Sequence, residues 1–527
     1  MPSPAWWQYG ILYEVYPRSF QDSNGDGIGD LRGVLHRLDY LLSLGIEAVW
    51  IAPFYPSPMA DFGYDIADYC NVDPIFGTLA DFDQLLGAIH ERGLKLILDF
   101  VPNHTSDQHP WFLESRSSLT NPKRDWYLWR DPAPDGGPPN NWMSNFGGPG
   151  WTKDGSQYYY HSFLKQQPDV NWRNPDLREA MLNVLRFWLD RGVDGFRVDV
   201  MWMMIKDDQY RDNPVNPASF SDSPASVRLL PVYNTNRPEV HAIVADMRAV
   251  LDSYGDRLLI GETYLPFDQL ATYYGHDLRG AQLPFNFHLM STPWNAKAIA
   301  GVIKDYEASL PVGAWPNWVI GNHDQPRIAT RIGPDQARTA AMLLLTLRGT
   351  PTMYYGDEIG MTNVVIPVAE VQDPAEKNEP GKGMGRDPER TPMQWDNSAQ
   401  AGFTEGVPWL RLAADYATVN VAALSGQSDS ILSLYRKLID LRRSHAALNT
   451  GAVENVASDG NVLRYERFDG EQRFVVLLNL GEGKEEAAIT PGEIVCSTHM
   501  DRAGETAAVS LRPFEGVVVR VGSSQTV

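Results

Sequence analysis

The stretch VDGFRVDV occupies residues 193–200 and has the composition of a buried β-strand that charges interrupt. Alternate side chains of a strand share a face, so Arg197 and Asp199 point one way while Phe196 and Val198 point the other. Charged side chains are costly inside a core unless they are paired or used. We therefore expect Arg197 and Asp199 to belong to a functional site rather than to the core.

Seven further apolar runs of similar length flank this strand and alternate with helical patterns. The eight candidate strands are ILYEVYP from Ile11, AVWIAP from Ala48, LKLILDFV from Leu94, VDGFRVDV from Val193, RLLIGET from Arg257, QLPFNF from Gln282, NWVIGNHD from Asn317 and TPTMYYG from Thr350. Eight strands that alternate with helices are typical of a closed parallel barrel rather than an open sheet. The sequence therefore predicts an α/β fold built on a (β/α)8 TIM barrel.

The segments between the strands have apolar residues at three- and four-residue steps, the pattern of amphipathic helices. The clearest of them cover residues 30–45, 79–93, 174–192, 237–255, 334–349 and 431–448. All but the last end at a glycine, as helices often do.

Two regions depart from this alternation and predict additional domains. Residues 104–174 contain no clean strand–helix unit and are rich in proline, glycine and aromatic residues. Because a structureless loop of this length is uncommon in a compact domain, we expect a subdomain inserted after strand three. Residues 458–527 alternate with period two, which predicts an all-β, sandwich-like C-terminal domain. The barrel then comprises residues 1–103 and 175–457, with residues 365–382 as a loop over one of its faces.

Composition restricts the classes of partner. Lysine and arginine number 45 against 66 acidic residues in a chain of 527, a net charge of -21. Such a surface repels nucleic acid and anionic membranes, so we expect neither as a partner, and no apolar run is long enough to span a bilayer. The two cysteines, Cys70 and Cys496, form no framework of disulfides or metal ligands, which favours the cytoplasm. We expect a monomer or a homo-oligomer.

Three acids lie at the predicted carboxyl ends of barrel strands, namely Asp199, Glu262 and Asp324. A single acid in such a position more often caps a loop or pairs with a local arginine. Three of them, with His104, Arg197 and His323 at equivalent depth, predict convergence on one small volume, because barrel active sites form at this face.

Converging carboxylates are suited to cleaving an acetal. One stays ionised and attacks or stabilises an oxocarbenium-like centre, while another is kept protonated by burial and donates its proton to the leaving oxygen. A cation within about 4–6 Å lowers the pKa of a carboxyl group, so we expect Arg197 to hold Asp199 ionised.

The motifs DFVPNH, GFRVDV, GET and GNHD occur in this order at strand ends and closely resemble the four sequence signatures of glycoside hydrolase family 13, the α-amylase family. QPDVN at residues 167–171 resembles the fifth signature in the form typical of the oligo-1,6-glucosidase and α-glucosidase branch. The resemblance covers nearly the whole chain. It implies a retaining α-glucosidase that removes terminal glucose from small α-glucosides, linked α-1,6 and/or α-1,4, through a covalent glucosyl-enzyme and without an organic cofactor.

Matching motif positions imply a role for each acid. Asp199 is the nucleophile that forms a β-glucosyl-enzyme. Glu262 is the general acid and then the base that activates water. Asp324 binds sugar hydroxyls and stabilises the transition state.

The resemblance also implies a set of sugar-binding residues. The family residues that hold the sugar in the cleavage subsite match His104, Arg197 and His323. DFGYDI resembles the pocket motif of the branch, so Asp61 should bind the hydroxyls of the non-reducing end and Tyr64 should stack beneath the ring. Arg390 in RTPMQWD matches the arginine that pairs with that aspartate. A pocket closed in this way favours release of one terminal glucose.

Val200 bears on linkage preference. In this branch a valine directly after the nucleophile accompanies α-1,6 activity, whereas alanine or threonine accompanies α-1,4 activity. Strict strand alternation would point Val200 away from the site, so it matters only if the strand end curls; otherwise it packs in the barrel.

DSNGDGIGD, residues 22–30, is a candidate structural metal loop. Its oxygen donors are Asp22, Asn24, Asp26, the Ile28 carbonyl and Asp30, and its glycines allow tight wrapping. The twelfth position is Gly33 instead of a bidentate glutamate, and a polar turn without metal explains the bare sequence nearly as well. Because related enzymes carry Ca²⁺ or Mg²⁺ here, the resemblance favours a structural ion.

Two alternatives to hydrolysis stay open at this point. A transglucosidase or sucrose isomerase would use the same residues, with an acceptor sugar in place of water. A non-catalytic relative, such as the heavy chains of amino-acid transporters, would keep the fold as a structural partner, but those proteins lose catalytic acids that this chain retains.

Overall fold

A computed structural model describes residues 4–522, and at its centre lies a sheet of eight parallel strands. These strands are β1 (Leu12–Val15), β2 (Ala48–Ile51), β3 (Lys95–Phe100), β4 (Gly195–Val198), β5 (Leu258–Gly261), β6 (Leu283–Pro284), β7 (Asn317–Val319) and β8 (Thr350–Tyr354). Their hydrogen-bonded order is β7-β8-β1-β2-β3-β4-β5-β6. The Asn317 side chain donates to the carbonyl of Pro284 over 2.5 Å and so links the two end strands. The predicted TIM barrel is confirmed.

The interior of the barrel changes from apolar to charged toward the carboxyl ends of the strands. Its apolar layer includes Leu12, Ala48, Trp50, Ile97, Leu258, Ile260, Leu283, Phe285 and Val319. In the β3–β4 register Asp99 lies opposite Arg197, and both side chains are fully buried. Glu14 of β1 is equally buried. Charge therefore occupies the layer beneath the mouth of the barrel, where a site can use it.

The longer helices are Leu31–His36, Leu38–Leu44, Leu79–Glu91, Pro175–Asp190, Val240–Asp252, Ala296–Ser309, Pro334–Thr346 and Ile431–Ser444. Shorter helices are Trp6–Tyr9, Pro17–Phe20, Pro110–Ser117, Phe267–Leu270, His288–Ser291, Ile328–Ile332, Pro374–Asn378, Val421–Ser425 and Ala446–Asn449. The single helix predicted over residues 30–45 is two helices, because Arg37 leaves helical geometry at φ -104° and ψ 5°. None of the helices in the described range is long and apolar enough to cross a membrane.

The segment predicted as an inserted subdomain contains a small antiparallel sheet of Trp129–Arg130, Gln157–Tyr160 and Trp151–Asp154, in that order. Its core is a cluster of buried apolar side chains, Leu128, Trp142, Trp151 and Tyr160. An isolated β-bridge between His104 and Asp169 joins its two ends beside β3. The aromatic residues that were conspicuous in the sequence thus build a core of their own.

The C-terminal region is an antiparallel sheet of six strands, Ala452–Asp459, Val462–Asp469, Gln472–Asn479, Glu485–Ser497, Gly504–Leu511 and Gly516–Val521. Its first strand begins at Ala452, ahead of the predicted boundary at residue 458. Two fully buried arginines, Arg442 and Arg467, lie where this sheet meets the barrel and donate to backbone carbonyls on both sides. The all-β tail is confirmed, while the exact domain boundaries remain predictions.

Candidate active site

The carboxyl ends of the barrel strands open into a cavity of about 570 Å³. The cavity is lined by seven of the residues that the sequence predicted, namely Asp61, Tyr64, His104, Asp199, Val200, Glu262 and Asp324. Arg197, His323 and Arg390 are fully buried next to these residues. Strand ends that lie far apart in the chain therefore contribute to one hollow.

Two of the three acids follow directly from the strand pattern. Asp199 comes immediately after β4 and Glu262 immediately after β5, and the two strands are paired in parallel. Asp324 lies in the turn that follows β7. Because the carboxyl ends of parallel strands meet at one edge, all three side chains reach the same face.

The Arg197 guanidinium connects the first two acids. Its Nη1 lies 2.8 Å from Asp199 Oδ1 and 2.9 Å from Asp99 Oδ1, and its Nη2 lies 2.6 Å from Glu262 Oε2. All four side chains are buried. A cation shared by three carboxyl groups fixes their positions and offsets part of their mutual repulsion.

The expectation that Arg197 keeps Asp199 ionised needs correction. Burial, and then repulsion from Glu262, raises the pKa of Asp199 well above its usual range, and the attraction of Arg197 does not offset them. Burial likewise raises the pKa of Glu262, which Arg197 opposes and Asp324 reinforces. The two acids titrate as one coupled pair that holds a proton to higher pH than isolated carboxyl groups would.

Asp324 behaves differently from the other two acids. Arg390 Nη2 lies 2.8 Å and Arg386 Nη1 lies 3.4 Å from its Oδ1, and His323 Nε2 lies 3.4 Å from its Oδ2. Although burial alone would raise the pKa of Asp324, these neighbouring groups hold it well below its usual range. Asp324 is therefore a permanent carboxylate beside a pair that retains a proton.

The predicted pairing of Asp61 with Arg390 is wrong. Arg386 Nη2 lies 2.6 Å from Asp61 Oδ1, and Arg386 Nε also binds Asp373 Oδ2 at 2.7 Å. Arg390 instead contacts Asp324 and donates from Nε to the carbonyl of His323 at 2.7 Å. The two arginines lie four residues apart in GRDPERTP, and the motif match chose the second of them.

Tyr64 and His104 form the wall next to Asp61. The Tyr64 hydroxyl lies 2.7 Å from His323 Nε2 and donates to Asp99 Oδ2 at 3.1 Å. His104 Nε2 lies 3.1 Å from the carbonyl of Tyr64, and burial lowers the pKa of His104 to about 4. His104 is thus a neutral hydrogen-bonding group near neutral pH.

Val200 lines the cavity because β4 ends at Val198 and the chain then turns. Val200 has a left-handed backbone, φ 36° and ψ 46°, which is strained for a β-branched residue. Its amide donates to Glu262 Oε2 at 2.9 Å. The curl on which its role in specificity depended is therefore present.

The candidate metal loop is held together by its own amides. Asp22 accepts from the amides of Asn24 and Gly25 at 2.8 Å each, and Asp30 accepts from the Gly33 amide at 2.7 Å. Between residues 4 and 522 no three His, Cys, Asp or Glu side chains converge as metal ligands would. The donor oxygens share one loop, but their geometry does not single out an ion.

Comparison with known proteins gives a consistent result. The family model "Alpha amylase, catalytic domain" matches residues 14–451. An oligo-1,6-glucosidase of Parageobacillus thermoglucosidasius is 39% identical over 98% of this chain and 99% of its own length. An amino acid transporter heavy chain of Homo sapiens is 42% identical over 90% of this chain and 71% of its own length.

Solved structures agree over the same length. The chain superposes on an alpha-glucosyl transfer enzyme, XgtA, with a TM-score of 0.93 and 38% identity, covering 98% of this chain and all of that one. It superposes on the trehalulose synthase MutB with a TM-score of 0.91 and 35% identity, at the same coverage. The chain belongs to the α-amylase family of glycoside hydrolases.

Proposed function

We propose that the protein is a retaining α-glucosidase that releases terminal glucose from short α-linked oligosaccharides or disaccharides. The observation that carries the proposal is that Asp199, Glu262 and Asp324 line one cavity of glucose size. Two of these acids retain a proton between them and the third stays ionised, which supplies the acid, the nucleophile and the stabilising charge that the reaction needs.

In the proposed first step Glu262 gives its proton to the glycosidic oxygen while Asp199 forms a bond to the anomeric carbon. The leaving alcohol departs with that proton, and a β-glucosyl-enzyme results. In the second step Glu262 takes a proton from water, whose oxygen replaces Asp199 at the anomeric carbon. Retaining enzymes hold their two carboxyl groups about 5–5.5 Å apart. The binding of both groups to one guanidinium, at 2.8 and 2.6 Å, supports such a spacing.

Asp61 and Arg386 are proposed to bind the non-reducing end of the sugar. Their ion pair at 2.6 Å lies in the wall of the cavity, and Phe146 packs against the Arg386 guanidinium with its ring centre 4.7 Å away. A wall at this end leaves room for a terminal unit and blocks a longer chain. This arrangement supports removal of single glucose units.

The coupled pair makes the pH dependence of the reaction predictable. The reactive form has one proton on Asp199 and Glu262 together, so activity is lost at low pH by a second protonation and at high pH by loss of the shared proton. Because burial raises the pKa of Glu262, the alkaline limb should lie above the ordinary glutamate value of about 4.3 and beyond neutrality. A pH profile of kcat/KM checks this, and an alkaline limb at the ordinary value would contradict the assignment of the acid.

Val200 is proposed to favour α-1,6 linkages. Changing it to Ala or Thr should shift the ratio of kcat/KM for isomaltose and maltose toward maltose by about tenfold, the worth of ~1 kcal/mol in a shaped pocket. Met203 lines the same cavity and offers a control, since Met203→Leu should leave the ratio near its original value. An unchanged ratio in both Val200 variants would show that this side chain only packs.

A second candidate function is glucosyl transfer or sucrose isomerisation at the same site. The structural likeness to XgtA and to MutB favours it. Product analysis on maltose, isomaltose and sucrose separates the two. Glucose and the free leaving sugar as the only products support hydrolysis, whereas new disaccharides at low substrate concentration support transfer.

A non-catalytic role does not suit this site. The human relative is named as a transporter heavy chain, yet all three acids of the present chain line one cavity. Retention of a complete acid pair next to an ionised aspartate supports an enzyme. The proposed ligands are therefore small α-glucosides, and both free cysteines, Cys70 and Cys496, support a proposed cytoplasmic location.

We also propose that the loop of residues 22–30 binds a structural Ca²⁺ or Mg²⁺ ion, held by Asp22, Asn24, Asp26, Asp30 and the Ile28 carbonyl. Such an ion would stabilise the loop after β1 and take no part in the reaction. A chelator should then lower the melting temperature more than it lowers activity at low temperature. Asp26→Ala should lose this response, and a melting temperature that the chelator leaves unchanged in the unmodified protein would exclude the ion.

A further inference from the structure

Glu14 is a buried acid that sequence reasoning passed over as part of a strand. It belongs to β1, its exposed fraction is 0%, and it lies in the charged layer beneath the cavity. Its Oε1 contacts Nδ1 of His323, which is also fully buried. The carboxyl group thus adjoins the histidine that the family resemblance places at the sugar.

The surroundings of Glu14 do not suit a carboxylate anion. Its second oxygen, Oε2, has no hydrogen-bond partner. Among residues 4–522 no lysine or arginine forms an ion pair with Glu14, and His323 is its one ionisable contact. A buried charge with an unpartnered oxygen is costly, whereas a neutral acid tolerates the same place.

The hydrogen bonds beyond His323 fix where the proton belongs. The Tyr64 hydroxyl has one proton, and it lies 2.7 Å from His323 Nε2 and 3.1 Å from Asp99 Oδ2. Asp99 pairs with Arg197 at 2.9 Å and is therefore the stronger acceptor, so Tyr64 donates to Asp99 and accepts from Nε2. Burial lowers the pKa of His323 well below its usual value, which leaves the ring neutral. Nδ1 then has no proton and needs a donor.

We propose that Glu14 is a neutral carboxylic acid that donates its proton to Nδ1 of His323 and so holds the imidazole as its Nε2–H tautomer. The Nε2–H then faces Tyr64 and Asp324 Oδ2, which lies 3.4 Å away. Glu14 is a positioning residue, because it supplies a fixed, uncharged donor next to the carboxylate that binds sugar hydroxyls. This consequence for catalysis rests on the proposed function, whereas the protonation state of Glu14 does not.

The charged groups around Glu14 favour the neutral form in balance. Asp99 of β3 and Asp324 after β7 raise its pKa, Arg197 of β4 lowers it, and Tyr354 of β8 lies close enough to be affected by its charge. Burial exceeds all of them and raises the pKa of Glu14 well above its usual range. The proton is therefore retained near neutral pH.

Infrared spectroscopy of the unliganded protein tests the proposal without any assay of activity. The difference spectrum between the unmodified protein and Glu14→Gln at neutral pH should contain the carbonyl band of one protonated carboxylic acid, shifted in D2O. Bands of a carboxylate in its place would overturn the proposal. Should Glu14→Gln not fold, neutron diffraction from the unmodified protein locates the same proton, expected on Glu14 and on His323 Nε2 but not on Nδ1.

Activity of two variants gives an independent reading. The amide of Glu14→Gln can donate to Nδ1 as the acid does, so kcat/KM and its pH profile should stay close to those of the unmodified enzyme. Glu14→Met removes the donor at similar volume and should lower kcat/KM by about tenfold, as expected for a lost buried hydrogen bond. A shift of the alkaline limb in Glu14→Gln would mean that a negative charge was removed, which contradicts a neutral Glu14. Failure of every activity assay together with a positive infrared result would count against the proposed function alone.

Discussion

Replacing Glu262 by Gln should lower turnover of maltose or isomaltose by about 10³-fold, the usual contribution of a general acid. The amide keeps the shape of the side chain and its place beside Arg197 and the Val200 amide, which now lie 2.6 and 2.9 Å from Oε2. Only the transferable proton is removed. The effect should therefore fall on kcat rather than on sugar binding.

The size of the loss should depend on the leaving group. An aryl glucoside whose leaving group needs no proton should form the glucosyl-enzyme at a nearly unchanged rate in Glu262→Gln, while its hydrolysis by water slows. A burst of aryl alcohol followed by a slow phase is the expected trace. Glu389 offers a matched control, because it is a buried glutamate that lines the same cavity. If Glu389→Gln loses as much activity as Glu262→Gln, the acid has been assigned to the wrong residue.

Replacing Asp199 by Asn should have the largest effect, a loss of about 10⁴-fold or more, because no covalent intermediate can form. The folded protein should not be weakened. Burial and Glu262 raise the pKa of Asp199, so the folded state disfavours its charge, and a neutral isostere removes that cost. We expect a melting temperature equal to or above that of the unmodified protein.

Chemical rescue identifies the lost group. In Asp199→Ala, azide can occupy the vacated space and attack an activated α-glucoside from the face opposite the leaving group, which yields a β-glucosyl azide. Asp357→Asn is the control, since Asp357 is a buried acid after β8 that does not line the cavity. Retained turnover in Asp199→Asn, or an α-configured azide product from Asp199→Ala, would remove Asp199 from the nucleophile's role.

The fold was largely predictable because the sheet follows the pattern of the sequence. All eight barrel strands were predicted from apolar runs. The helix Ala296–Ser309 was not, although Asn295 caps it and Ile299, Ile303 and Tyr306 give it a buried face. The weak point was the short β6, Leu283–Pro284, which made the units around this helix hard to recognise.

The site was predictable where a motif places a side chain on a strand end, as for Asp199 and Glu262. It was less so where loops fold back. Arg386 reaches Asp61 only because residues after β8 return over the mouth of the barrel, where Asp373 also binds Arg386. No spacing in GRDPERTP distinguishes Arg386 from Arg390, since each arginine finds an aspartate in the folded chain.

Electrostatics were the least predictable part. A sequence shows that Arg197 lies two residues before Asp199, and the attraction between them is real. It does not show that Glu262 shares the same guanidinium or that all of these groups are buried, and those two facts reverse the direction of the pKa shift. Glu14 was missed for the same reason, because its partner His323 lies more than three hundred residues away.

The central claim is that Asp199 and Glu262 carry out two successive displacements at one anomeric carbon. Proton NMR of isomaltose or maltose hydrolysis, recorded faster than glucose interconverts between anomers, tests it most directly. We expect α-glucose to appear first and β-glucose to follow only by mutarotation. If β-glucose is the first product, water attacks the substrate directly and no glucosyl-enzyme forms at Asp199.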